Sequence, residues 1–127
     1  MSLIGIHHVA IICSDYERSK RFYLSLPGAE LVEETLRAER QSYKLDIRIG
    51  DSQLELFSFP KPPLRPSRPE ACGLRHLAFR VASVDDTVNE LAELGIETEP
   101  IRLDELTEKR FTFFKDPDDL PLEIYEL

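Results

Sequence analysis

Apolar and polar residues alternate most regularly over residues 43 to 49, where the sequence is YKLDIRI. Side chains of a β-strand point to opposite faces in turn, so this alternation predicts a strand with one buried face. A turn at Gly50-Asp51 leads into QLELFSF at 53–59, which predicts a second strand, and AELVEE at 29–34 predicts an earlier one. The first half of the chain is therefore expected to be rich in strands.

Two other stretches show helical spacing. Apolar residues recur at intervals of three and four in 22–26 and in 84–92, as on the buried side of an amphipathic helix. SDYE at 14–17 and SVDD at 83–86 predict the starts of these helices, with a serine N-cap and an acid three residues later. A glycine follows each predicted helix, as is common at helix ends.

The chain also repeats itself at an offset of 68 residues. HVAII at 8–12 matches HLAFR at 76–80, and LELF at 54–57 matches LEIY at 122–125. Because two separate matches share one offset, the chain is predicted to contain two equivalent modules, each with the order βαβββ. The predicted fold class is therefore α+β.

We expect a single domain over residues 1–127, in which module 1 spans 3–59 and module 2 spans 74–127. A proline-rich connector at 60–73 holds five of the nine prolines and is predicted to be neither helix nor central strand. Module 1 is predicted to begin with a strand at 6–12, IHHVAII. Module 2 is predicted to have a helix at 84–94 and strands at 75–81, 96–99, 110–115 and 121–126.

Composition narrows the classes of function. The net charge of −8 and the pI of about 4.9 argue against nucleic acid as a partner. No apolar run approaches the roughly 20 residues of a membrane span, and MSLIGIHH lacks a basic leader, so we expect a cytoplasmic protein. Cys13 and Cys72 form no CxxC and are expected to be reduced thiols, Cys13 in a buried strand. Cys72 lies in a loop, where its role stays open.

The repeat distinguishes between the adjacent histidines His7 and His8. His76 aligns with His8, and each is followed 47 residues later by a glutamate, Glu55 and Glu123 respectively. His7 is left with a structural or supporting role. Each module is thus predicted to contribute one histidine and one glutamate to a shared function.

Both glutamates are set in apolar strands, where an unpaired carboxylate costs several kcal/mol. A salt bridge to Lys44 or Arg110 would compensate one of them. A divalent metal held by two imidazoles and two carboxylates would satisfy all four matched side chains at once. The sequence therefore favours a metal site formed by His8, Glu55, His76 and Glu123.

With these motifs the chain resembles the vicinal oxygen chelate superfamily, whose members pair two βαβββ modules into curved mixed sheets around a metal. The resemblance covers essentially the whole chain and rests on HHVAI, LELF, GLRHLAFRV and FKDPDDLPLEIYE. The combination is most similar to the glyoxalase I-like branch, the lactoylglutathione lyases, whose metal-ligand positions match His8, Glu55, His76 and Glu123. One departure is Asp119, where the family usually has the glycine of DPDG.

The resemblance implies a lyase or isomerase that acts on a hemithioacetal or a similar substrate with vicinal oxygens. Its reaction moves a proton between adjacent carbons through a metal-bound enediolate, which requires a Lewis acid and a carboxylate base. Glu123 is the expected base, with Glu55 as its counterpart. The expected cofactor is one divalent metal per site, Ni²⁺ or Zn²⁺ first and Mn²⁺ or Fe²⁺ as alternatives.

Other activities occur in the same superfamily. An extradiol dioxygenase or a fosfomycin-inactivating thiol transferase uses two histidines and one carboxylate, and a methylmalonyl-CoA epimerase commonly has an amide where Glu55 stands here. A drug-binding protein of the bleomycin-resistance type typically lacks metal ligands. Retention of all four ligand positions favours the isomerase over each of these.

Two further expectations concern partners. Relatives of the glyoxalase I-like branch commonly form symmetric homodimers, so we expect a homodimer, with no nucleic acid or membrane partner and with a small molecule as substrate. In such a homodimer the predicted metal sites are formed either within one chain or between the two chains. Arg65, Arg68, Lys109 and Arg110 are candidate contacts for an anion, each equally compatible with an ordinary surface charge.

Overall fold

A computed structural model of the chain describes all 127 residues, and their contacts divide them into two compact units, Met1–Leu64 and Arg65–Leu127. The division falls inside the proline-rich segment at 60–73. Each unit contains one helix and one four-stranded mixed sheet in the chain order βαβββ. The α+β class with two βαβββ modules is therefore confirmed.

In the first unit the strand order is β1-β4-β3-β2, with β1 parallel to β4 and the other neighbours antiparallel. A short 3₁₀ turn at Ala38–Arg40 connects β2 to β3. The elements are β1 (Val9–Cys13), α1 (Tyr16–Ser25), β2 (Ala29–Arg37), β3 (Ser42–Ile49) and β4 (Ser52–Ser58).

The second unit repeats this topology, with the order β5-β8-β7-β6 and β5 parallel to β8. Two of its strands, β7 and β8, have the bounds that the sequence predicts. The elements are β5 (Leu77–Val81), α2 (Val84–Glu93), β6 (Arg102–Leu103), β7 (Arg110–Lys115) and β8 (Pro121–Glu126). Neither helix, at ten residues, has the length or the apolar character needed to cross a bilayer.

Each unit has its own core between the helix and one face of the sheet. In the first, α1 packs on β2, β3 and β4, and Tyr23, Leu45 and Ile47 are almost fully buried. In the second, α2 packs on β7 and β8, and Leu91 and Leu122 are equally buried. Since side chains alternate along a strand, residues between these core positions lie on the opposite face of each sheet.

The first strand is shorter than its apolar pattern predicts. It begins at Val9 rather than at residue 6, and Ile6 is 86 % exposed. The parallel ladder with β4 runs from Val9, opposite Leu54, to Cys13, opposite Ser58. Residues 6–8 precede this ladder, so their alternation does not bury a face.

The predicted strand at 96–99 is also wrong, because strand pairing is found instead at Arg102–Leu103. Glu99 still donates a backbone hydrogen bond to Phe113, but Pro100 follows and has no N–H to continue a ladder. Regular pairing resumes two residues beyond that proline.

The helix caps are partly as predicted. Ser83 caps α2 and accepts a hydrogen bond from the backbone N–H of Asp86, as expected. In α1 the cap is Asp15, which accepts from the N–H of Arg18, rather than Ser14. Both side chains satisfy one of the free N–H groups at a helix start.

The turn before β8 explains the departure from the DPDG pattern. Asp119 has φ of +66°, in the left-handed region where glycine is favoured. Aspartate is one of the few other residues that tolerates this conformation. The Asp116 carboxylate accepts hydrogen bonds from the N–H groups of Asp118 and Leu120, which holds the turn.

Candidate functional site

Each unit brings one histidine and one glutamate together at the start of its parallel strand pair. In the first unit, His8 Nε2 lies 3.5 Å from Glu55 Oε1; in the second, His76 Nε2 lies 3.4 Å from Glu123 Oε1. The registers are identical, because the residue two positions after each histidine is opposite the glutamate in the ladder. The repeat in the sequence is therefore also a repeat in the geometry of these pairs.

The distance between the histidine Nε2 and the glutamate Oε1 in each pair bears on whether the pair can bind a metal. At 3.4–3.5 Å it is longer than an ordinary N–H···O hydrogen bond, which is about 2.7–3.2 Å. Two ligand atoms that are each about 2.0–2.2 Å from one cation lie about 2.8–3.1 Å apart at the right angle of octahedral coordination and about 3.3–3.6 Å apart in tetrahedral coordination. Each pair thus has a spacing that fits two ligands of one tetrahedral metal ion.

Glu55 lies on the sheet face opposite α1, since its neighbours Leu54 and Leu56 are core residues. It is nevertheless only 7 % exposed, so its carboxylate needs partners. Gln53 Nε2 donates a hydrogen bond to its Oε2 at 3.1 Å, and Lys44 Nζ lies 3.6 Å from its Oε1. The salt bridge to Lys44 that the sequence offers as an alternative is therefore present.

The same lysine is shared with a second acid. Lys44 Nζ is 2.8 Å from Asp46 Oδ1, and Asp46 is opposite Glu55 on the neighbouring strand. Hydrogen bonding to Asp46 raises the pKa of Lys44, with charge interactions from Asp46 and Glu55 adding to this. Lys44 is therefore a firmly held cation beside Glu55, closer to Asp46 than to Glu55.

Glu123 has a more apolar setting. Its opposite neighbour on β7 is Phe113, whose ring contacts the His76 ring edge-on at 5.1 Å between centroids. Burial raises the pKa of Glu123, and the charges of His76 and Arg102 partly oppose that effect. Arg110, the other predicted salt-bridge partner, instead binds Asp85 at 3.0 Å.

His7 contacts its neighbour directly. His7 Nδ1 lies 2.9 Å from His8 Nδ1, which leaves His8 Nε2 directed at Glu55. A hydrogen bond to one imidazole nitrogen orients the ring and defines the tautomer with which the other nitrogen binds a metal. This arrangement gives His7 a specific way to support His8.

The donor set in each unit is chemically suited to a divalent metal but incomplete. An imidazole nitrogen and a carboxylate oxygen are both ligands for zinc and for other first-row metals. In neither unit does a third His, Cys, Asp or Glu side chain complete a metal-binding group. Each unit therefore brings together two candidate ligand atoms, half of the four that the sequence predicts.

The remaining candidate residues have defined positions. Lys109 Nζ donates to the carbonyl of Leu127, and Arg65 donates to the carbonyls of Leu74 and Arg75, so both hold backbone in place. Cys13 is buried as expected, and Cys72 is exposed.

Sequence reasoning did not single out two polar neighbours of the pairs, Gln53 and Arg102. Gln53 could have been recognised, because it lies two residues before Glu55 on the same strand and hence on the same face. Arg102 could not, because its position depends on the irregular segment after Pro100.

Comparison with known proteins identifies the family. The sequence model described as the Glyoxalase/Bleomycin resistance protein/Dioxygenase superfamily matches residues 5–124. This chain belongs to that superfamily. The uncharacterized protein YwkD of Bacillus subtilis (strain 168) is 65% identical over 99% of both chains. The uncharacterized protein YaeR of Escherichia coli (strain K12) is 54% identical, over 99% of this chain and 98% of its own.

A solved structure extends the likeness to three dimensions. The glyoxalase family protein from Enterococcus faecalis has a TM-score of 0.91 and 49% sequence identity, with 99% of this chain and 100% of that chain covered. The superfamily fold is therefore shared over the whole length of both chains, including the segments that carry the His–Glu pairs.

Proposed function

We propose that this superfamily member is a metal-dependent isomerase of the glyoxalase I-like kind, a lactoylglutathione lyase in type. Its substrate is a hemithioacetal or a similar small molecule with oxygens on adjacent carbons. The observation that carries the proposal is the duplicated His–Glu pair, placed at the same register in both units with matching atom separations.

The proposed ligands are His8, Glu55, His76 and Glu123, so that the two pairs together hold one divalent ion. Ni²⁺ or Zn²⁺ is the first expectation, with Mn²⁺ or Fe²⁺ as alternatives. When bound, the metal supplies a Lewis acid that polarises the substrate oxygens. The buried carboxylate of Glu55, the half-buried carboxylate of Glu123 and the two imidazoles supply the negative charge and the nitrogen donors that such an ion requires.

The two glutamates are assigned different roles. Glu123 is the base: its carboxylate takes the proton from the carbon that bears the hydroxyl group and returns it to the adjacent carbonyl carbon, while the hydroxyl proton moves to the former carbonyl oxygen. Glu55, which is held by Gln53 and Lys44, keeps a constant position. No atom is gained or lost overall, since the product is an isomer of the adduct.

The test is an activity screen on protein stripped of metal and reloaded with Ni²⁺, Zn²⁺, Mn²⁺ or Fe²⁺ in turn. Isomerisation of the hemithioacetal of methylglyoxal with glutathione is expected with at least one of these metals, together with about one bound ion per chain. Oxygen uptake with a catechol, combined with no isomerisation under any metal, would overturn the proposal in favour of a dioxygenase.

We also propose that the protein functions as a symmetric homodimer with two shared sites. His8 and Glu55 of each site then come from one chain, and His76 and Glu123 come from its partner. A His8→Ala chain mixed with a Glu123→Ala chain tests this. After full subunit exchange, half of the dimers would contain one intact site, so about a quarter of the activity returns. No recovery rules out the shared arrangement.

A further inference from the structure

The second unit contains a cavity of about 590 Å³ whose lining includes His76. Residues 65–76 form one part of its wall, and the rest comes from Glu99, β6, β7, the turn at Asp119 and the start of β8. The volume lies within the range of about 300–1,000 Å³ that is usual for small-molecule sites. All lining residues belong to this unit. One proposed metal ligand therefore opens into a space large enough for a substrate.

The cavity is rich in positive charge although the chain has a net charge of −8. Five basic side chains line it against three acidic ones. The basic residues are Arg65, Arg68, Arg75, Arg102 and Lys115, and the acidic ones are Glu70, Glu99 and Asp119.

Three of the five cations have contacts of their own. Arg65 is occupied by backbone carbonyls, and Arg75 forms an exposed ion pair with Glu70 at 3.9 Å. Arg102 pairs with Glu99 at 3.1 Å, where both side chains are about half exposed. Such exposed pairs are weak, typically about 0–1 kcal/mol, and exchange readily for a better partner.

Arg68 and Lys115 are different, because neither forms a hydrogen bond or an ion pair with the protein. Both are exposed at the cavity wall. Arg102 adds a third cation, whose guanidinium lies over the Phe111 and Phe113 rings at 5.1 and 5.3 Å from their centroids. Stacking of this kind orients an arginine and leaves its N–H groups available to a carboxylate or phosphate.

We propose that Arg68, Lys115 and Arg102 form a subsite for the anionic group of the substrate, a carboxylate or a phosphate-like group. Together with His76 on the same wall, the subsite specifies a molecule that is reactive at one end and negatively charged at the other. This inference rests on the proposed function for the identity of the reactive end. The anion subsite itself is a property of the second unit alone.

The test uses metal-free full-length protein, so that anion binding is measured apart from catalysis. Inorganic phosphate and acetate are titrated separately at constant ionic strength, and amide NMR shifts report both affinity and location. We expect shifts concentrated at residues 65–76 and at the end of β7. The double variant Arg68→Gln/Lys115→Gln is expected to weaken binding at least tenfold, because it removes both unpaired cations.

The matched control is Arg21→Gln/Arg40→Gln, which changes the net charge equally at exposed arginines of the first unit. It is expected to change the affinity less than threefold. Glu99→Gln should act in the opposite direction and tighten binding, because it releases Arg102. The ratio of phosphate to acetate affinity distinguishes the two kinds of anion.

Absence of binding by both probes at millimolar concentration would overturn the subsite, as would equal losses in the double variant and the control. Binding that follows the expected pattern supports it even if the reloaded protein shows no isomerase activity. In that case the proposed reaction fails and the anion subsite stands, so the two failures are distinguishable.

Discussion

The two His–Glu pairs occupy equivalent positions but have different neighbours. Across the ladder from Glu55 lies Asp46, with Lys44 bridging the two carboxylates; across from Glu123 lies Phe113. Gln53 donates a hydrogen bond to Glu55, whereas the Phe113 ring opposite Glu123 lies beneath the Arg102 guanidinium. One glutamate is thus held by polar partners, and the other is set against an apolar wall.

The difference shows how a duplicated fold can produce unequal chemistry. Strand register alone determines where each carboxylate lies, so both modules place it beside a histidine. The residues on the adjacent strand determine what surrounds it, and there the modules share no sequence. A polar, hydrogen-bonded carboxylate is suited to holding a metal, while one beside an aromatic ring is less restrained and better suited to moving a proton.

The largest expected effect is on turnover. Glu123→Gln should lower kcat for hemithioacetal isomerisation by about 10²–10⁴-fold with most of the metal retained, because the amide keeps an oxygen donor but is a poor base. Glu55→Gln should reduce metal content more than it reduces kcat per bound metal. Metal analysis and kinetics on the same preparations measure both quantities. Equal kcat losses per metal would remove the distinction between the two glutamates.

Metal affinity should distinguish the three histidines. His8→Ala and His76→Ala are each expected to weaken binding about 100-fold or more, because each removes a proposed ligand. His7→Ala removes only the contact that orients His8, and a loss of about tenfold or less is expected. Competitive titration with a chelator provides the values. A larger loss for His7 than for His8 would invalidate the alignment of the two modules.

Lys44 provides a smaller test that is specific to the first module. Its ammonium group would compete with the proposed metal for Glu55, so Lys44→Met should tighten metal binding about two- to fivefold, the range of a partly exposed ion pair. Lys20→Met is the matched control, since Lys20 pairs with Glu34 at the edge of the same unit. Tighter binding in the control, or weaker binding in Lys44→Met, would contradict this interpretation.

The smallest effects concern stability, where the modules should behave alike. Asp15→Ala and Ser83→Ala each remove an N-cap and should lower the free energy of unfolding by about 1 kcal/mol. Ser14→Ala should cost only a few tenths, because Ser14 lies one residue before the cap. Urea denaturation at neutral pH measures all three. A larger loss in the free energy of unfolding for Ser14→Ala than for Asp15→Ala would indicate that Ser14 is the N-cap, as the sequence pattern predicts.

Several features could be predicted because they depend on local periodicity or on the repeat. The alternation at 43–49 is a strand, β7 and β8 have the predicted bounds, and both helices begin within a residue or two of the predicted start. The offset of 68 residues selected His8 over His7, and the structure places His8, not His7, beside Glu55. A period of two or of 3.6 is visible in sequence because it reflects which face of an element is buried.

The sequence by itself therefore determined the α+β class, the two βαβββ modules and the four residues that pair within them. Tertiary structure alone decided where ladders end, as at Val9 and around Pro100, because a strand needs a partner as well as a pattern. It also decided that Lys44 faces Glu55, that Phe113 faces Glu123, and that residues 65–76 close a basic cavity beside His76. Such neighbours come from distant parts of the chain, and local periodicity contains no information about them.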